Sequence, residues 1–565
     1  MQTPSTSLPV VIVGAGHNGL VCAAALARQG LPVIVLEASG AIGGACRTER
    51  PFEKAPGLGC STGAYLLGPM PPEVIERTGI RLDIRPRKPS GFFLNDRGEP
   101  VWFGLGEAGL GNLSGHDRAA LRAFDETVAA IRDDLAPLWL RDAVTLEESV
   151  QAVRDDPAGL PAADAPPGTL ASSPCMLPDL EGSASPFAVA AAPRTFRDLY
   201  RILAFGPFTE FLDAFGFEDR SLAATLATDA LVGSPLGLSD TGVGMNFLAH
   251  NMLRLPEGGT GLGRAPTTPL GAWQLVTGGM GAVTAALAEA VREAGGQIRL
   301  NAPAAEILPT DGGRVRLRLA DGGVLEASAV VLACDPASAG RLLPAEAPFH
   351  AKFRGFSPEA SMGTSLKVNL ALRDLPRVVG AEAVGRTPLS GTVHALPHPT
   401  DGRDPIEGME RARRAALAGR LPDPFDCMID VYTHTAVEPS LRDEQGRHAM
   451  SFFVQWVPAE TTQEQAERFA RELIAGPVAR LLPDLPGLVE DMLVVAPRGI
   501  EQRFGIRGGH IHHLDNSIAF DRRLGVRDAG LPGVLLAGAG CHPAGSVIGA
   551  AGLIAADAVL ADLAR

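Results

Sequence analysis

The chain has 565 residues, enough for one large two-part enzyme or for two to four compact domains. Hydrophobic residues make up 46% and charged residues 20%, which predicts a well-filled globular core. The formal net charge of −14 argues against a nucleic-acid-binding protein, because such proteins carry a basic face. We therefore expect a soluble protein that does not bind nucleic acid.

The cysteines and the apolar stretches bear on the compartment. The seven cysteines are scattered and form no CxxC pair, which is typical of a reducing compartment and excludes a zinc-ribbon pattern. No positive charge precedes the first apolar run, so we expect no signal peptide. The glycine-rich stretches 8–36 and 533–564 are typical of buried nucleotide-binding elements as often as of membrane spans. We predict a cytoplasmic protein and leave peripheral contact with a membrane open.

The first elements in chain order follow the pattern of a nucleotide-binding β–α–β unit. A β-branched run over residues 10–13 predicts a buried strand, and it leads into the turn GAGHNG and a helix of small residues. A second strand over residues 32–36 ends at an acid that lies 23 positions after the first glycine. The glycines would permit a tight turn and close approach to a pyrophosphate, and the acid would bind a ribose. The residues predicted to contact the nucleotide are Gly14, Gly16, His17, Asn18, Gly19 and Glu37.

Two further glycine-rich blocks favour FAD over NAD. Just after the acid, IGGACR contributes Gly43, Gly44 and Arg47, which suit a dinucleotide that extends past the first helix. The stretch 533–563 predicts a strand, a glycine-rich loop and a helix whose N-terminus would lie against the flavin end of FAD. Bound NAD alone would leave that loop without a role. The residues predicted to bind the cofactor there are Gly538, Gly540, His542 and Gly549.

Several features between these blocks are expected to be structural. Gly104, Gly106 and Gly109 repeat the GxGxxG spacing, but no long helix follows, so we predict a strand end and a loop. The stretch 196–217 predicts a helix whose aromatic residues pack in the core, with a channel for a long substrate as the alternative. A hairpin around Asp321-Gly322 and a buried strand ending at Asp335 follow. The histidines 510, 512 and 513 are expected at the surface or beside the flavin, and no metal site is predicted.

Four of these blocks together resemble one family. GAGHNGLV, IGGA, GGMGAV and GAGCHPAGSVIGAAG occur in the order found in the phytoene-desaturase-like branch of the FAD-dependent amine-oxidase superfamily. The segments 438–458 and 496–513 are most similar to its subgroup of pyridine nucleotide-disulfide oxidoreductase domain-containing protein 2 and of ketolase-like proteins. The resemblance covers nearly the whole chain and implies FAD as the cofactor.

The resemblance implies an α/β fold in which a Rossmann-type, GR2-like FAD-binding domain carries an inserted α+β substrate domain. Segments 8–85, 270–345 and 495–565 would form the FAD-binding domain. Segments 86–269 and 346–494 would form the substrate domain, with a Pro/Ala-rich loop at about 155–193.

Two related enzyme classes are disfavoured. A disulfide reductase would show CxxxxC after the first glycine motif, whereas Cys46 and Cys60 lie 14 positions apart. A monoamine oxidase would need an aromatic cage near the flavin, and no Tyr or Trp follows Trp456. Neither the cysteine pair of a disulfide reductase nor the aromatic cage of a monoamine oxidase is therefore expected in this chain.

The chemistry implied is hydride transfer from a substrate C–H bond to flavin N5, with a base to take the accompanying proton. His542 is the candidate base, although it could equally hydrogen-bond the cofactor or cap the helix. His250 and Arg503 are candidate substrate contacts, with a satisfied core histidine as the alternative at the first position. We hypothesise an FAD-dependent dehydrogenase, desaturase or oxidase of a hydrophobic, isoprenoid or polyene-like molecule, with oxygen or a quinone as electron acceptor. A smaller polar substrate, or a low-turnover FAD-containing binding protein, remains the alternative.

Overall fold

A computed structural model describes residues 8–68, 70–85, 87–141, 202–251, 273–308, 314–381, 388–518 and 522–565. The predicted Pro/Ala-rich loop at 155–193 lies outside these residues. The strands are β1 (Val10–Val13), β2 (Val33–Leu36), β3 (Thr48–Glu49), β4 (Cys60–Ser61), β5 (Ile84–Arg85), β6 (Gly91–Leu94), β7 (Pro100–Phe103), β8 (Leu275–Val276), β9 (Gln297–Arg299), β10 (Ala304–Leu308), β11 (Val315–Leu319), β12 (Val324–Ala327), β13 (Ala329–Leu332), β14 (Leu366–Leu372), β15 (Thr392–Ala395), β16 (Ile429–Tyr432), β17 (His448–Val454), β18 (Val489–Val495) and β19 (Val534–Leu536).

The α-helices of the described residues are α1 (His17–Ala27), α2 (Pro72–Thr78), α3 (Gly115–Trp139), α4 (Phe208–Asp213), α5 (Arg220–Leu231), α6 (Gly244–Asn251), α7 (Gly281–Glu293), α8 (Pro336–Leu342), α9 (Phe349–Arg354), α10 (Pro405–Leu417), α11 (His434–Val437), α12 (Gln463–Leu473), α13 (Ala479–Leu481), α14 (Pro497–Phe504) and α15 (Ala550–Leu563).

A parallel sheet with the order β19-β13-β1-β2-β9 forms the first layer. Its central strand β1 pairs in parallel with β13 on one side and with β2 on the other. All residues of these three strands are buried, as expected for a β-branched parallel sheet covered on both faces. Helices α1, α7 and α15 pack on one face, and the antiparallel sheet β10-β11-β12 packs on the other. The predicted β–α–β unit and the α/β fold are therefore confirmed, and the five strands fall within segments 8–85, 270–345 and 495–565.

A mixed sheet with the order β18-β14-β17-β16-β15-β6-β7 forms the second layer. Its neighbours pair antiparallel, apart from the parallel pair of β15 and β6. Strand β14 lies between β17 and β18, and all seven of its residues are buried. The sheet draws its strands from residues 91–103 and 366–495, but the division of the chain into two domains stays a prediction.

Between the nucleotide-binding blocks, three local predictions of structure are correct, and two predicted element boundaries are wrong. The hairpin around Asp321-Gly322 joins β11 and β12 as predicted. The second GxGxxG follows β7 and enters a short 3-10 turn, again as predicted. The buried strand β13, however, ends before Asp335, because the Asp335 carboxylate caps α8 by accepting from the Ser338 N–H.

The predicted helix over 196–217 is interrupted. Residues 202–205 are helical, the chain then breaks at Gly206 and Pro207, and α4 begins at Phe208. Proline lacks the N–H that a continuous helix requires, which explains the break. The aromatic residues nevertheless pack in the core as predicted, since Phe208, Phe211 and Phe215 are buried and in ring contact with one another or with Phe247.

Within the described residues, no helix combines the length and apolar character that crossing a bilayer requires.

Candidate active site

A cavity of about 920 Å³ extends from the carboxyl ends of the parallel strands to the second sheet. At one end it is lined by the turn after β1 and by the residue that follows β2. At the other end it is lined by side chains of β14, β15, β16 and β17. In an open parallel sheet, the carboxyl ends of the strands are where ligands bind.

The glycines of the first turn have three separate roles. Gly14 adopts φ +109°, and a Cβ there would lie 3.0 Å from the Ala333 carbonyl oxygen. A Cβ at Gly19 would lie 2.1 Å from the Gly14 carbonyl oxygen, so that position must be glycine for α1 to pack on the turn. Gly16 lines the cavity, and a Cβ there would meet no atom within 4 Å. The open space beside Gly16 is therefore a cradle that a pyrophosphate can enter.

Glu37 is held in a fixed orientation at the nucleotide end. Its Oε2 accepts from the Ala15 N–H at 2.9 Å, and its Oε1 accepts from the Ser39 N–H and hydroxyl at 2.9 and 2.8 Å. Glu37 lines the cavity, as the sequence predicted. A carboxylate ordered in this way can accept hydrogen bonds from ribose hydroxyls and repels a 2′-phosphate.

Cationic and imidazole groups surround the cradle. Arg47 Nε and His17 Nε2 are buried and have no hydrogen-bond partner among the described residues. Burial, with the neighbouring His513, lowers the pKa of His17 to about 4, so the ring is neutral at pH 7. Buried donors without partners are uncommon in native proteins, and an anionic phosphate would satisfy them. The remaining predicted residues that also line this end are Asn18, Gly43 and Gly44.

The second glycine-rich loop lines the cavity through residues other than the glycines named from the sequence. Gly538, Gly540 and Gly549 are not among the cavity-lining residues of the described chain. A Cβ at Gly538 would lie 2.1 Å from the Cys334 carbonyl oxygen, and one at Gly540 would lie 2.5 Å from Pro336 Cγ. These glycines allow the loop to pack against the end of β13, and Gly549 takes φ +82° to begin α15. Ala539, Ser546 and Val547 line the cavity instead.

His542, the predicted base, is buried and is likewise not among the described residues that line the cavity. Its backbone N–H donates to the Leu524 carbonyl oxygen at 2.7 Å. The buried Arg523 guanidinium donates to the Cys541 and Ala539 carbonyl oxygens at 3.1 and 3.2 Å. These contacts anchor the loop on Arg523, and a catalytic role for His542 stays a prediction.

Aromatic rings from distant parts of the chain form the walls of the other end. Tyr65 and Tyr432 lie 5.4 Å apart between ring centroids. Phe453 and Trp273 complete this wall. Lys367 Nζ lies 4.2 Å from the centroid of the Tyr65 ring and 5.0 Å from that of Phe453. The absence of Tyr and Trp after residue 456 was therefore a poor argument against an aromatic site, because earlier strands provide the rings.

Two carboxyl groups and an imidazole make this end polar. His394 Nδ1 lies 2.7 Å from Asp430 Oδ1, and the Tyr432 hydroxyl donates to Asp430 Oδ2 at 3.3 Å. Asp229 lines the same cavity, and its pKa is raised to about 7 by burial and by the charge of Asp430. A carboxyl group of this kind can hold or release a proton near neutral pH.

The two residues predicted to contact substrate both line the cavity. His250 Nδ1 lies 2.7 Å from the Asp229 carbonyl oxygen, and the His250 ring lies 5.2 Å from that of His512 between centroids. Burial lowers the pKa of His250 to about 4. Arg503 pairs with Glu49 at 2.9 Å, so its charge is already compensated. Both residues are located at the site, but neither presents a free charge to a substrate.

Sequence reasoning missed most of the polar end, although a signal was present. Lys367 and Asp430 are each the one charged residue of a buried strand, in SLKVNLAL and MIDVY. A charged residue in a buried strand is costly unless it is paired or used. Of the histidine cluster, His510 and His512 are buried and His513 is half-buried. His512 and His513 line the cavity, so of the two expected positions the surface is not the one observed, and contact with the flavin stays a prediction. Among the described residues, no three His, Cys, Asp or Glu side chains come together as metal ligands.

The class of protein follows from the fold and the site together. The parallel sheet carries a phosphate cradle and a fixed acid, and a polar cavity continues from them to the second sheet. These features are those of a flavin-dependent oxidoreductase that binds FAD. The family of flavin containing amine oxidoreductases matches residues 19–376, and the chain belongs to this family. The expected superfamily and cofactor are thus confirmed, whereas the phytoene-desaturase-like branch stays a prediction.

Individual relatives span nearly the whole chain. The pyridine nucleotide-disulfide oxidoreductase domain-containing protein 2 of Rattus norvegicus is 29% identical, over 98% of this chain and 93% of its own. An uncharacterized protein of Mycobacterium tuberculosis is 28% identical, over 100% of this chain and 99% of its own length.

Solved structures with low sequence identity share the fold. A putrescine oxidase bound to putrescine has a TM-score of 0.54 at 17% identity and covers 100% of both chains. The cyclohexylamine oxidase from Brevibacterium oxydans has a TM-score of 0.53 at 17% identity, covering 99% of this chain and 100% of its own.

Proposed function

We propose that this FAD-dependent oxidoreductase oxidises a small polar molecule at a C–H bond next to a nitrogen or oxygen atom. The observation that carries the proposal is the polar character of the cavity wall far from the nucleotide cradle. Asp229, Asp430, His394 and Lys367 all line that end. An extended hydrocarbon would offer no hydrogen bond to His394 Nε2, which is buried and without a partner among the described residues, or to the buried Lys367 amine, and this is unfavourable.

The residues that would hold FAD are those of the cradle. Glu37 would bind the ribose, the turn at Gly16 and the donors His17 and Arg47 would bind the pyrophosphate, and the cavity beyond Gly44 would take the ring. When bound, FAD accepts a hydride from the substrate. Oxygen or a quinone remains the proposed electron acceptor.

The chain's own side chains would orient the substrate and move its proton. The Tyr65 and Tyr432 rings form an apolar wall against which the carbon skeleton can pack. The carboxyl group of Asp229, with its pKa near neutrality, can accept a proton from the substrate heteroatom. Asp430 orders its neighbours Tyr432 and His394 by accepting or sharing their hydrogen bonds.

An isoprenoid or polyene substrate is the second candidate. The aromatic wall formed by Tyr65, Trp273 and Phe453 favours it, because flat rings pack well against a conjugated chain. The carboxyl groups of the same cavity favour the polar substrate. A low-turnover FAD-binding protein is the third reading, and it predicts retained FAD with no reduction by any organic donor.

The test is anaerobic mixing of the FAD-loaded protein with putrescine, cyclohexylamine, benzyl alcohol, retinol and a carotenoid, followed by flavin absorbance. The amines are included because two proteins of similar fold are a putrescine oxidase and a cyclohexylamine oxidase. Bleaching by an amine or alcohol supports the proposal, and bleaching by the carotenoid or retinol alone replaces it with the second candidate. A protein that cannot be loaded with FAD refutes both.

Two variants link the reaction to the cavity. We expect Asp229→Asn to slow bleaching about tenfold or more, because the proton acceptor is lost, while FAD content stays unchanged. Asp562→Asn is the matched control, since that carboxylate pairs with Arg527 at the surface. Equal bleaching rates in the two variants would remove Asp229 from the reaction.

A further inference from the structure

Lysine is rare in this chain, and one of the lysines, Lys367, is buried. The sequence has 46 arginines but only four lysines, at positions 54, 88, 352 and 367. Lys54 and Lys88 are exposed, and Lys352 pairs with Asp528 at 2.8 Å. Lys367 is only 6% exposed. The position thus combines the rarest cationic residue of the chain with burial.

The surroundings of Lys367 lack the usual compensation for a buried ammonium group. It lies on β14 between Phe453 of β17 and Val495 of β18. Among the described residues, no carboxylate lies within ion-pair distance of its Nζ, which instead faces the rings of Tyr65 and Phe453. Burial without an acid partner favours the neutral amine and lowers the pKa of Lys367 to about 7. A neutral lysine amine is a nucleophile.

The cavity places this amine where the oxidised carbon must form. Lys367 lines the same end as Asp229, whose raised pKa of about 7 lets its carboxyl group donate and accept protons. Oxidation of a C–H bond next to nitrogen gives a C=N bond, and oxidation next to oxygen gives a C=O bond. Both products are electrophiles that a neutral amine can attack. This argument rests on the proposed function for the presence of such a product.

We propose that Lys367 is a nucleophile that binds an aldehyde, ketone or imine carbon in the cavity as a covalent imine. The Nζ lone pair forms a bond to the carbonyl carbon, and the carbonyl oxygen leaves as water after taking up the two protons that Nζ loses. With an imine, the original nitrogen leaves as ammonia or an amine. No electrons are transferred in this step, and hydrolysis returns the free lysine and the carbonyl compound.

The test traps the imine with benzaldehyde and sodium cyanoborohydride, using the FAD-loaded protein at pH 7, and maps N-benzyl lysine by peptide mass spectrometry. At this pH the fraction of neutral amine at Lys367 exceeds that at an ordinary surface lysine by about a thousandfold. Allowing for the lower intrinsic reactivity of a less basic amine and for access to the cavity, we expect Lys367 to be modified at least about tenfold faster than Lys54 and Lys88. At pH 10 this preference should shrink, because the surface lysines then lose their protons.

Two variants and one parallel measurement make the result decisive. Lys367→Arg should lose the fast modification, whereas Lys352→Arg, the matched control, should retain it. Modification of Lys367 no faster than of Lys54, or a preference that does not change with pH, would overturn the proposal. The flavin absorbance and the bleaching panel are recorded on the same samples. Bleaching without trapping refutes the imine alone, and trapping without bleaching by any donor refutes the proposed oxidation while the imine site stands.

Discussion

Adding one methyl group at Gly16 and at Gly19 should have opposite consequences, although the two positions are three residues apart. At Gly16 the backbone has φ −72° and ψ 173°, which any residue adopts, and a Cβ would meet no atom within 4 Å. Gly16→Ala should therefore change the stability of the apoprotein by no more than about 0.5 kcal/mol. The methyl group would occupy the space of the pyrophosphate. We expect FAD binding to weaken about ten- to a hundredfold, or about 1.4–2.8 kcal/mol.

At Gly19 the same methyl group has no space. Its Cβ would lie 2.1 Å from the Gly14 carbonyl oxygen and 3.0 Å from the Ala333 Cβ, so α1 would have to move away from the sheet. Overpacking of this kind costs about 1–3 kcal/mol or more, and the higher helix propensity of alanine offsets at most about 1 kcal/mol. We expect the apoprotein to unfold several degrees lower, at about 2–4 °C per kcal/mol.

Thermal unfolding of the apoproteins, followed by circular dichroism, and titration with FAD, followed by flavin fluorescence, separate the two effects. The expected pattern is a Gly16→Ala protein of normal stability with weak FAD binding, and a Gly19→Ala protein of low stability. If Gly16→Ala bound FAD as tightly as the parent protein, the pyrophosphate would not lie against this turn. If Gly19→Ala unfolded at the same temperature as the parent protein, α1 would not pack as closely on the glycine turn as described.

Three further changes test the cofactor acid, the buried arginine and a buried imidazole. Glu37→Gln should raise the dissociation constant for FAD about tenfold in the same titration, because an amide replaces one acceptor by a donor. The buried Arg523 guanidinium donates to four backbone carbonyl oxygens, and Arg523→Met removes all of these hydrogen bonds. This change should lower the free energy of unfolding in urea by about 3–5 kcal/mol. The exposed control Arg527→Met should cost less than about 1 kcal/mol, and equal losses would contradict the reasoning. Burial lowers the pKa of His434 to about 4, so protons bind the unfolded state preferentially, and stability relative to His434→Gln should fall as the pH drops from about 6.5 to 4. In that window the free energy of unfolding should fall by up to about 1.4 kcal/mol for each pH unit, relative to the variant. The reasoning would be contradicted if urea unfolding gave the same difference in stability between the two proteins at pH 7 and at pH 5.

The nucleotide half of the site was predictable because its signals are local. The strand, glycine turn, helix and acid between Val10 and Glu37 lie within 28 residues, and each has a backbone reason that can be read from the sequence. The same local reasoning did not locate His542, which is not among the described residues that line the cavity and whose role stays a prediction. A glycine-rich loop can approach a ligand or another backbone equally closely, and here it approaches the end of β13. Only the contacts of Arg523 decide between the two.

The polar half of the site could not be predicted because its residues come from strands far apart in the chain. Tyr65 and Tyr432 are 367 positions apart and come into contact only when the second sheet forms. Neither ring lies in a glycine-rich block, where the recognisable motifs of this sequence are found. The charged residues in the buried strands β14 and β16, Lys367 and Asp430, were the signals in the sequence that pointed to this end of the cavity.

The order of the parallel sheet has a consequence for how this protein is made. The central pair β1 and β13 is completed by β19, and Gly552 of α15 lies so close to Asn18 that a Cβ would be 2.1 Å from its carbonyl oxygen. Helix α1 and the phosphate turn at its start therefore lack their packing partner until synthesis has passed residue 563. Contacts of such long sequence separation form slowly, and the exposed strand edges of a waiting chain are prone to aggregate. The nascent polypeptide must therefore be kept from aggregating until β19 and α15 have been synthesised, before it can capture its flavin.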